Sequence, residues 1–184
     1  MMTDALLSFV GLNGNFSLVG GAGVSFASPN TIDLLGNGVG VAPTSIYGNT
    51  SVFGQPDAMG VGGERPELNI TVGTAFATIT AATLNVQLQG AIDTGLAGNY
   101  QPGTWNTFVE SGAIAAANLT AGTVIFRCPW LPPFPANLRP RFLRLNFSIP
   151  AATDFTAGTI ASALVTYVRD DQFNKYAAKN FTVS

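Results

Sequence analysis

The chain has 184 residues, 47% of them hydrophobic, and a net charge of −2; this length favours one domain able to hold a core without disulfides or metals. Only 10% of its residues are charged, against ~25% in ordinary soluble domains, so much of its surface should be covered by partners in an assembly. A net acidic chain offers no general basic field to nucleic acid, and with no run of 18 or more apolar residues no membrane span is expected. The absence of histidine excludes Ser–His and Cys–His nucleophile pairs and His-liganded zinc within the chain.

Residues 1–63 hold 13 of the 21 glycines, no Lys or Arg, and only Asp4, Asp33 and Asp57 as acids. Runs such as Gly20-Gly21-Ala22-Gly23, Gly36-Asn37-Gly38-Val39-Gly40 and Gly60-Val61-Gly62-Gly63 break any long helix. The stretch therefore reads as a Gly-rich arm and loops with a few short strands at 16–19, 24–26 and 32–35. Its apolar residues need a surface to lie on, either this chain's own core or a neighbour. Residues 3–10 could form a short helix. The N-terminus lacks the basic region of a secretory signal, so synthesis in a reducing cytoplasm is expected, with the single Cys128 acting as a small buried apolar residue.

From residue 64 to 184 the pattern is that of a β body. Leu68-Asn69-Ile70-Thr71-Val72 and Leu84-Asn85-Val86-Gln87-Leu88-Gln89 alternate apolar and polar with period two, so each should bury one face. Asp93-Thr94-Gly95 and Ala97-Gly98-Asn99 signal turns. Strands are expected again at 105–109 and 123–126, and most strongly at 141–149, where Leu143, Leu145, Phe147 and Ile149 share a face. The last runs over 159–168. The alanines of 111–119 favour a short helix or turn. Between the last strands, 128–140 holds five of the eleven prolines; proline lacks an N–H and fixes φ, so this should be a stiff loop carrying Trp130 and Phe134. Short strands spaced by Gly, Pro and Asn turns point to an all-β fold, an antiparallel sandwich of eight-stranded jelly-roll type.

Candidate chemistry is sparse. No Gly-Lys pair exists, so no phosphate-binding P-loop is present, and no helix opens after the Gly36–Gly40 run as a dinucleotide site requires. Asp170-Asp171 is the only adjacent acid pair; it serves a turn and a pairing with Arg169 more readily than a metal. Six N-x-[ST] sequons occur, but those at Asn69 and Asn146 fall in expected strands, and the Asn/Ser/Thr-rich composition generates such matches. No cofactor, metal or catalytic residue is assigned. Arg127, Arg139, Arg141 and Arg144 lie within 18 residues and flank Trp130 and Phe134. Arginine and aromatics are enriched at interface hot spots. These six residues form a candidate protein interface for an acidic partner, the alternative being intrachain pairing with the acids.

Three groups of residues resemble a known family. They are Thr31-Ile32-Asp33-Leu34-Leu35-Gly36 before Gly38-Val39-Gly40; Val72-Gly73-Thr74-Ala75-Phe76 with Gln87-Leu88-Gln89-Gly90; and Arg141-Phe142-Leu143-Arg144-Leu145 with Phe155-Thr156-Ala157-Gly158-Thr159-Ile160. With the ending from Arg169-Asp170-Asp171-Gln172 to Val183, they are similar to the jelly-roll capsid cement proteins of short-tailed phages, the Bordetella phage type, over residues 31–183. The resemblance implies a virion protein on the outer surface of the shell, without enzyme activity, self-associating as a dimer and partnered by the major capsid protein. A trimer, a carbohydrate-binding module stacking sugars on Tyr47, Tyr100, Trp105 and Trp130 or another phage surface adhesin, and a carboxylate glycosidase are the alternatives.

Overall fold

A computed structural model describes residues 8–11, 15–20, 23–34, 66–96, 99, 101–129 and 140–167. Among them are ten strands: β1 (Ser8–Val10), β2 (Phe16–Ser17), β3 (Ser25–Ala27), β4 (Ile32–Asp33), β5 (Pro66–Val72), β6 (Thr83–Ala91), β7 (Asn106–Ala115), β8 (Val124–Pro129), β9 (Phe142–Ser148) and β10 (Thr159–Tyr167). All pairings are antiparallel. One sheet runs β1-β10-β5-β8, with β2 continuing β1 along the same edge of β10; the other runs β3-β9-β6-β7, with β4 continuing β3 along β9. Counting β1 with β2 and β3 with β4 as interrupted single strands gives eight. Their orders, 1-8-3-6 and 2-7-4-5, are the double Greek key of a jelly roll.

The alternation in the sequence is what folds the sheets together. Leu68, Ile70 and Val72 from β5, Leu84, Val86 and Leu88 from β6, and Leu143, Leu145 and Phe147 from β9 are all buried in one core between the sheets. Their polar neighbours in sequence point outward, as period two requires. A shift of one residue would expose the whole apolar set, so register is strongly specified.

The stretch read as an arm divides. Residues 8–33 supply strands to both sheets, and Phe9, Val10, Leu18 and Ile32 lie in the core; of the two surfaces considered for them, the chain's own core takes them. Residues 35–65 lie outside the described residues. One helical reading is corrected and a second is narrowed. The described part of 3–10 is strand β1, because pairing with the edge of β10 and burial of all three residues outweigh any local preference. In 111–119, β7 continues through Ala115, paired to Thr83, and only Ala116–Asn118 forms a single 3-10 turn. The expected stiff loop also begins later than Cys128. Cys128 and Pro129 complete β8, an edge strand, the place in a sheet where proline is tolerated.

The two ends of the sandwich differ. At one, the connections 18–24, 73–82, 116–123 and 149–158 interlock through main-chain bonds: Leu18 N–H to Gly158 O (3.2 Å), Gly20 N–H to Phe155 O (3.3 Å), Phe76 N–H to Leu119 O (3.0 Å) and Ala77 N–H to Ala157 O (3.0 Å). Phe76 stacks edge-on against Phe155 beneath them, with centroids 4.8 Å apart. At the other end β4 and β8 finish and β5 and β9 begin, as the pairings Glu67–Pro129, Tyr167–Pro66, Asp33–Phe142 and Ala91–Phe142 show. The described residues that flank 35–65 and 130–139 therefore all lie at this second end.

Candidate functional site

Arg141 sits at the start of β9, where the second end is built. Its main chain takes a hydrogen bond from Leu34 N–H (2.8 Å) and donates one to Ala91 O (2.9 Å), so it already joins the flanks of β4 and β6. Its side chain completes the junction. Nε and Nη2 donate to the two carboxylate oxygens of Asp33 at 3.0 and 2.9 Å, and Nη1 donates to Asp93 Oδ2 at 2.8 Å. The paired geometry suits a planar guanidinium and a carboxylate, and no lysine can reproduce it. Asp93 Oδ1 in turn accepts the N–H groups of Gly95 (2.9 Å) and Gln101 (3.1 Å), which ties these two residues of the β6–β7 connection to the cluster.

Only 7% of Arg141 is exposed, against 16% of Asp33 and 21% of Asp93. The cluster lies at the rim of the sandwich rather than deep in the core, so its charges are covered by their neighbours yet partly screened. Burial works against the ionised form of Asp93, but the Gly95 and Gln101 N–H groups and the Arg141 charge outweigh it and hold its carboxyl below the ordinary value. The hydrogen bonds to Asp33, against a desolvation cost, hold Arg141 still more firmly protonated.

This overturns one member of the arginine patch. Arg141 faces inward and ties the roots of three connections, so its guanidinium is committed to this chain's own acids; intrachain pairing takes it. Arg144 is half-buried on the outer face of the β3-β9-β6-β7 sheet. Its Nε donates to Gln89 Oε1 (3.0 Å), and its guanidinium lies 4.3 Å from the centre of the Trp105 ring; burial lowers its pKa. Arg127 is exposed on β8, opposite Asn69. Trp130, Phe134 and Arg139, together with Asp170-Asp171, lie outside the described residues. Of the described members of the patch, Arg141 is inside, Arg144 is engaged on one sheet, and Arg127 is on the other.

Around Arg144 the outer sheet face carries a row of amides. Gln87 Oε1 accepts from Asn146 Nδ2 (2.8 Å) and Gln89 Nε2 (3.3 Å), and Glu110 Oε2 accepts from Asn85 Nδ2 (3.0 Å) and Gln87 Nε2 (3.4 Å). Those two donors hold the Glu110 carboxyl below its ordinary value. The row pairs its members across three strands, as cross-strand polar neighbours do. On the inner side Cys128 is buried; burial first and the Glu67 charge second push its thiol up to about 11. Among the described residues no group of three or more His, Cys, Asp or Glu could hold a metal ion, and no helix is long and apolar enough to cross a membrane.

Sequence reasoning did not find Asp33 or Asp93 as functional partners of Arg141. They stand 108 and 48 positions from it, and only the Asx-type turn signal at Asp93 was visible locally.

The fold and this junction define a jelly-roll protein in which one end is tied by the rim ion cluster of Arg141, Asp33 and Asp93 while the other is closed by short connections. The family model Bbp16 matches residues 25–165, about three quarters of the chain, and the chain belongs to the Bbp16 family, whose name suggests a Bordetella phage protein. No curated protein matches it.

Proposed function

We propose that the chain is a structural virion protein that cements a tailed-phage capsid, lying on the outside of the shell and bridging major capsid protein subunits. The observation that carries this reading is the build of the second end. Two long connections, rich in Gly and in Pro with Trp130 and Phe134, spring from roots that Arg141 clamps together, on the body of a phage-family jelly roll. Such a body supplies a stiff platform, and the long connections supply reach to neighbouring subunits. Many copies then hold the shell by avidity rather than through one strong contact. The scarcity of charge fits a surface covered in the assembly. The chain acts without cofactor or catalysis, engages no nucleic acid, and associates with itself as well as with the shell.

The carbohydrate-module reading is not adopted. One face of the Trp105 ring is already taken by Arg144, and Tyr47, Tyr100 and Trp130 lie outside the described residues.

The test compares particles assembled with and without the protein. Cementing predicts that shells lacking it rupture at lower temperature and that adding the purified chain restores them. Equal melting of the two particles, or a particle map with no density for this chain on the shell, would sink the proposal.

A further inference from the structure

Arg141 and Arg144 lie three residues apart, yet their charges are met in opposite ways. Arg141 has two carboxylates. Arg144 has none: among the described residues no acid pairs with it, and its hydrogen bond runs from Nε to Gln89 Oε1. Nη1 and Nη2 are left without an acceptor. The buried side-chain atoms without a partner, among the described residues, are Ser8 Oγ and Asn69 Oδ1, so both amino groups of Arg144 reach solvent. The rest of the side chain is half-buried, and burial lowers its pKa with no opposite charge to offset it. Glu110, an acid on the same sheet face, is engaged by Asn85 and Gln87 instead.

The guanidinium is also held in place. The Trp105 ring lies 4.3 Å from it, and Gln89, which accepts from Nε, donates through Nε2 to Gln87 Oε1 and Thr107 Oγ1 at 3.3 Å each. A fixed cation of this kind has lost hydration without gaining a counter-charge. A carboxylate supplies the charge and accepts from both open amino groups. Because the orientation is set beforehand, little further ordering opposes the contact. Arginine and tryptophan are enriched among the side chains that dominate protein interfaces, and the neighbouring amides give the polar rim that such a centre has. We infer that Arg144 seats an aspartate or glutamate side chain of the shell protein, bonded through Nη1 and Nη2 beside the Trp105 ring. A polyanion such as nucleic acid is disfavoured, since the chain is acidic and Glu110 shares the face. The carboxylate follows from the geometry; its owner, the shell, rests on the proposed function.

The experiment measures binding of the full chain to shells that lack it, for the wild type, Arg144→Gln, Arg144→Lys and Arg127→Gln. Arg127, exposed on the other sheet, is the control. Thermal melting checks that each variant is folded. Arg144→Gln should raise the dissociation constant at least about tenfold and flatten its salt dependence; Arg127→Gln should change neither. Arg144→Lys, bound at saturating concentration and treated with a carbodiimide, should join its amine to the partner carboxylate as an amide. Mass spectrometry of the linked peptide then names that acid. If the wild type and a folded Arg144→Gln bind shells equally, the anchor is overturned and cementing stands. If the wild type does not bind shells at all, the proposed function falls, and with it the shell as owner of the acid. A link from position 144 to a second copy, or to Asp170 or Asp171 of the same chain, also overturns the shell as occupant. Should Arg144→Gln fail to fold, Arg144→Lys decides alone: a link to an acid of the shell protein sustains the inference, and no link at full occupancy overturns it.

Discussion

Arg141 and Asp33 meet through two hydrogen bonds of 3.0 and 2.9 Å across 108 positions of sequence, and this contact fastens the end of β4 to the start of β9 where the long connections are rooted. A pair that is covered and doubly bonded differs from a surface ion pair, because removing one partner leaves the other without its solvation or its counter-charge. Arg141→Ala should therefore lower the melting temperature more than Arg144→Ala, whose partners are a neutral amide and a ring. Arg141→Lys should recover less than half of the loss, since lysine cannot bond both oxygens of Asp33 and reach Asp93 together. Calorimetry of the three variants decides this; equal melting of Arg141→Ala and wild type would show that the junction is dispensable.

Acid should loosen the same junction. The Asp93 carboxyl is held below its ordinary value in the fold, so its contribution is fully present above the unfolded carboxylate range near ~3.9 and is lost as pH falls through the lower folded value. Glu110 acts in the same direction. Stability measured by urea unfolding should be flat with respect to these two groups from neutral pH down to about 4.5 and then decline. In Asp93→Asn the acid limb should be shallower, at the expense of a lower plateau. An identical acid slope in the variant would remove Asp93 from the account.

Gly158 has φ +147, and a Cβ there would run into the ring of Phe76. Gly158→Ala combines left-handed backbone strain with overpacking against the Phe76–Phe155 pair, each costing ~1–3 kcal/mol. A loss of about 2–6 kcal/mol by denaturant unfolding is expected. A neutral result would mean that the connections 73–82 and 149–158 are looser than their hydrogen bonds imply.

Phe147 is fully buried at the centre of the core and stands 5.7 Å from the Phe16 ring. Phe147→Ala should cost ~3–5 kcal/mol, the usual loss when a core aromatic is truncated. Phe16 comes from the N-terminal stretch, so Phe16→Ala should also destabilise the body. Its failure to do so would mean that β2 is not part of the cooperative unit.

Cys128 should be chemically silent. A buried thiol whose pKa is pushed up to about 11 has almost no thiolate at neutral pH. An aromatic disulfide reagent should react with it only at the rate of global unfolding. Rapid reaction in native buffer would show that β8 opens locally.

The strands after residue 64 were legible because burial of a sheet face leaves a period-two imprint that needs no knowledge of partners. Leu84, Val86 and Leu88, or Leu143, Leu145 and Phe147, announce an inward face by themselves. In residues 8–33 the short strands expected at 16–19, 24–26 and 32–35 are found as β2, β3 and β4, while β1 was not foreseen. All four are two or three residues long, too short to show a period, so their pairing with the open edges of β9 and β10 was not legible. The described arginines part for a related reason. Arg127, Arg141 and Arg144 are close in sequence, yet successive side chains of a strand point to opposite faces, and β8 and β9 belong to different sheets.

The sequence by itself determined the class of this protein: no histidine chemistry, little charge, a β body, and long Gly- and Pro-rich stretches set apart from it. These are properties of composition and of local spacing, which the chain carries whether folded or not. Tertiary structure alone decided that Arg141 closes on Asp33 and Asp93, that the described residues flanking those stretches share one end, and that the opposite end is closed by short connections. Those outcomes depend on the jelly-roll crossing order, which brings residues far apart in sequence to one rim, and nothing in the local pattern of the chain encodes that order.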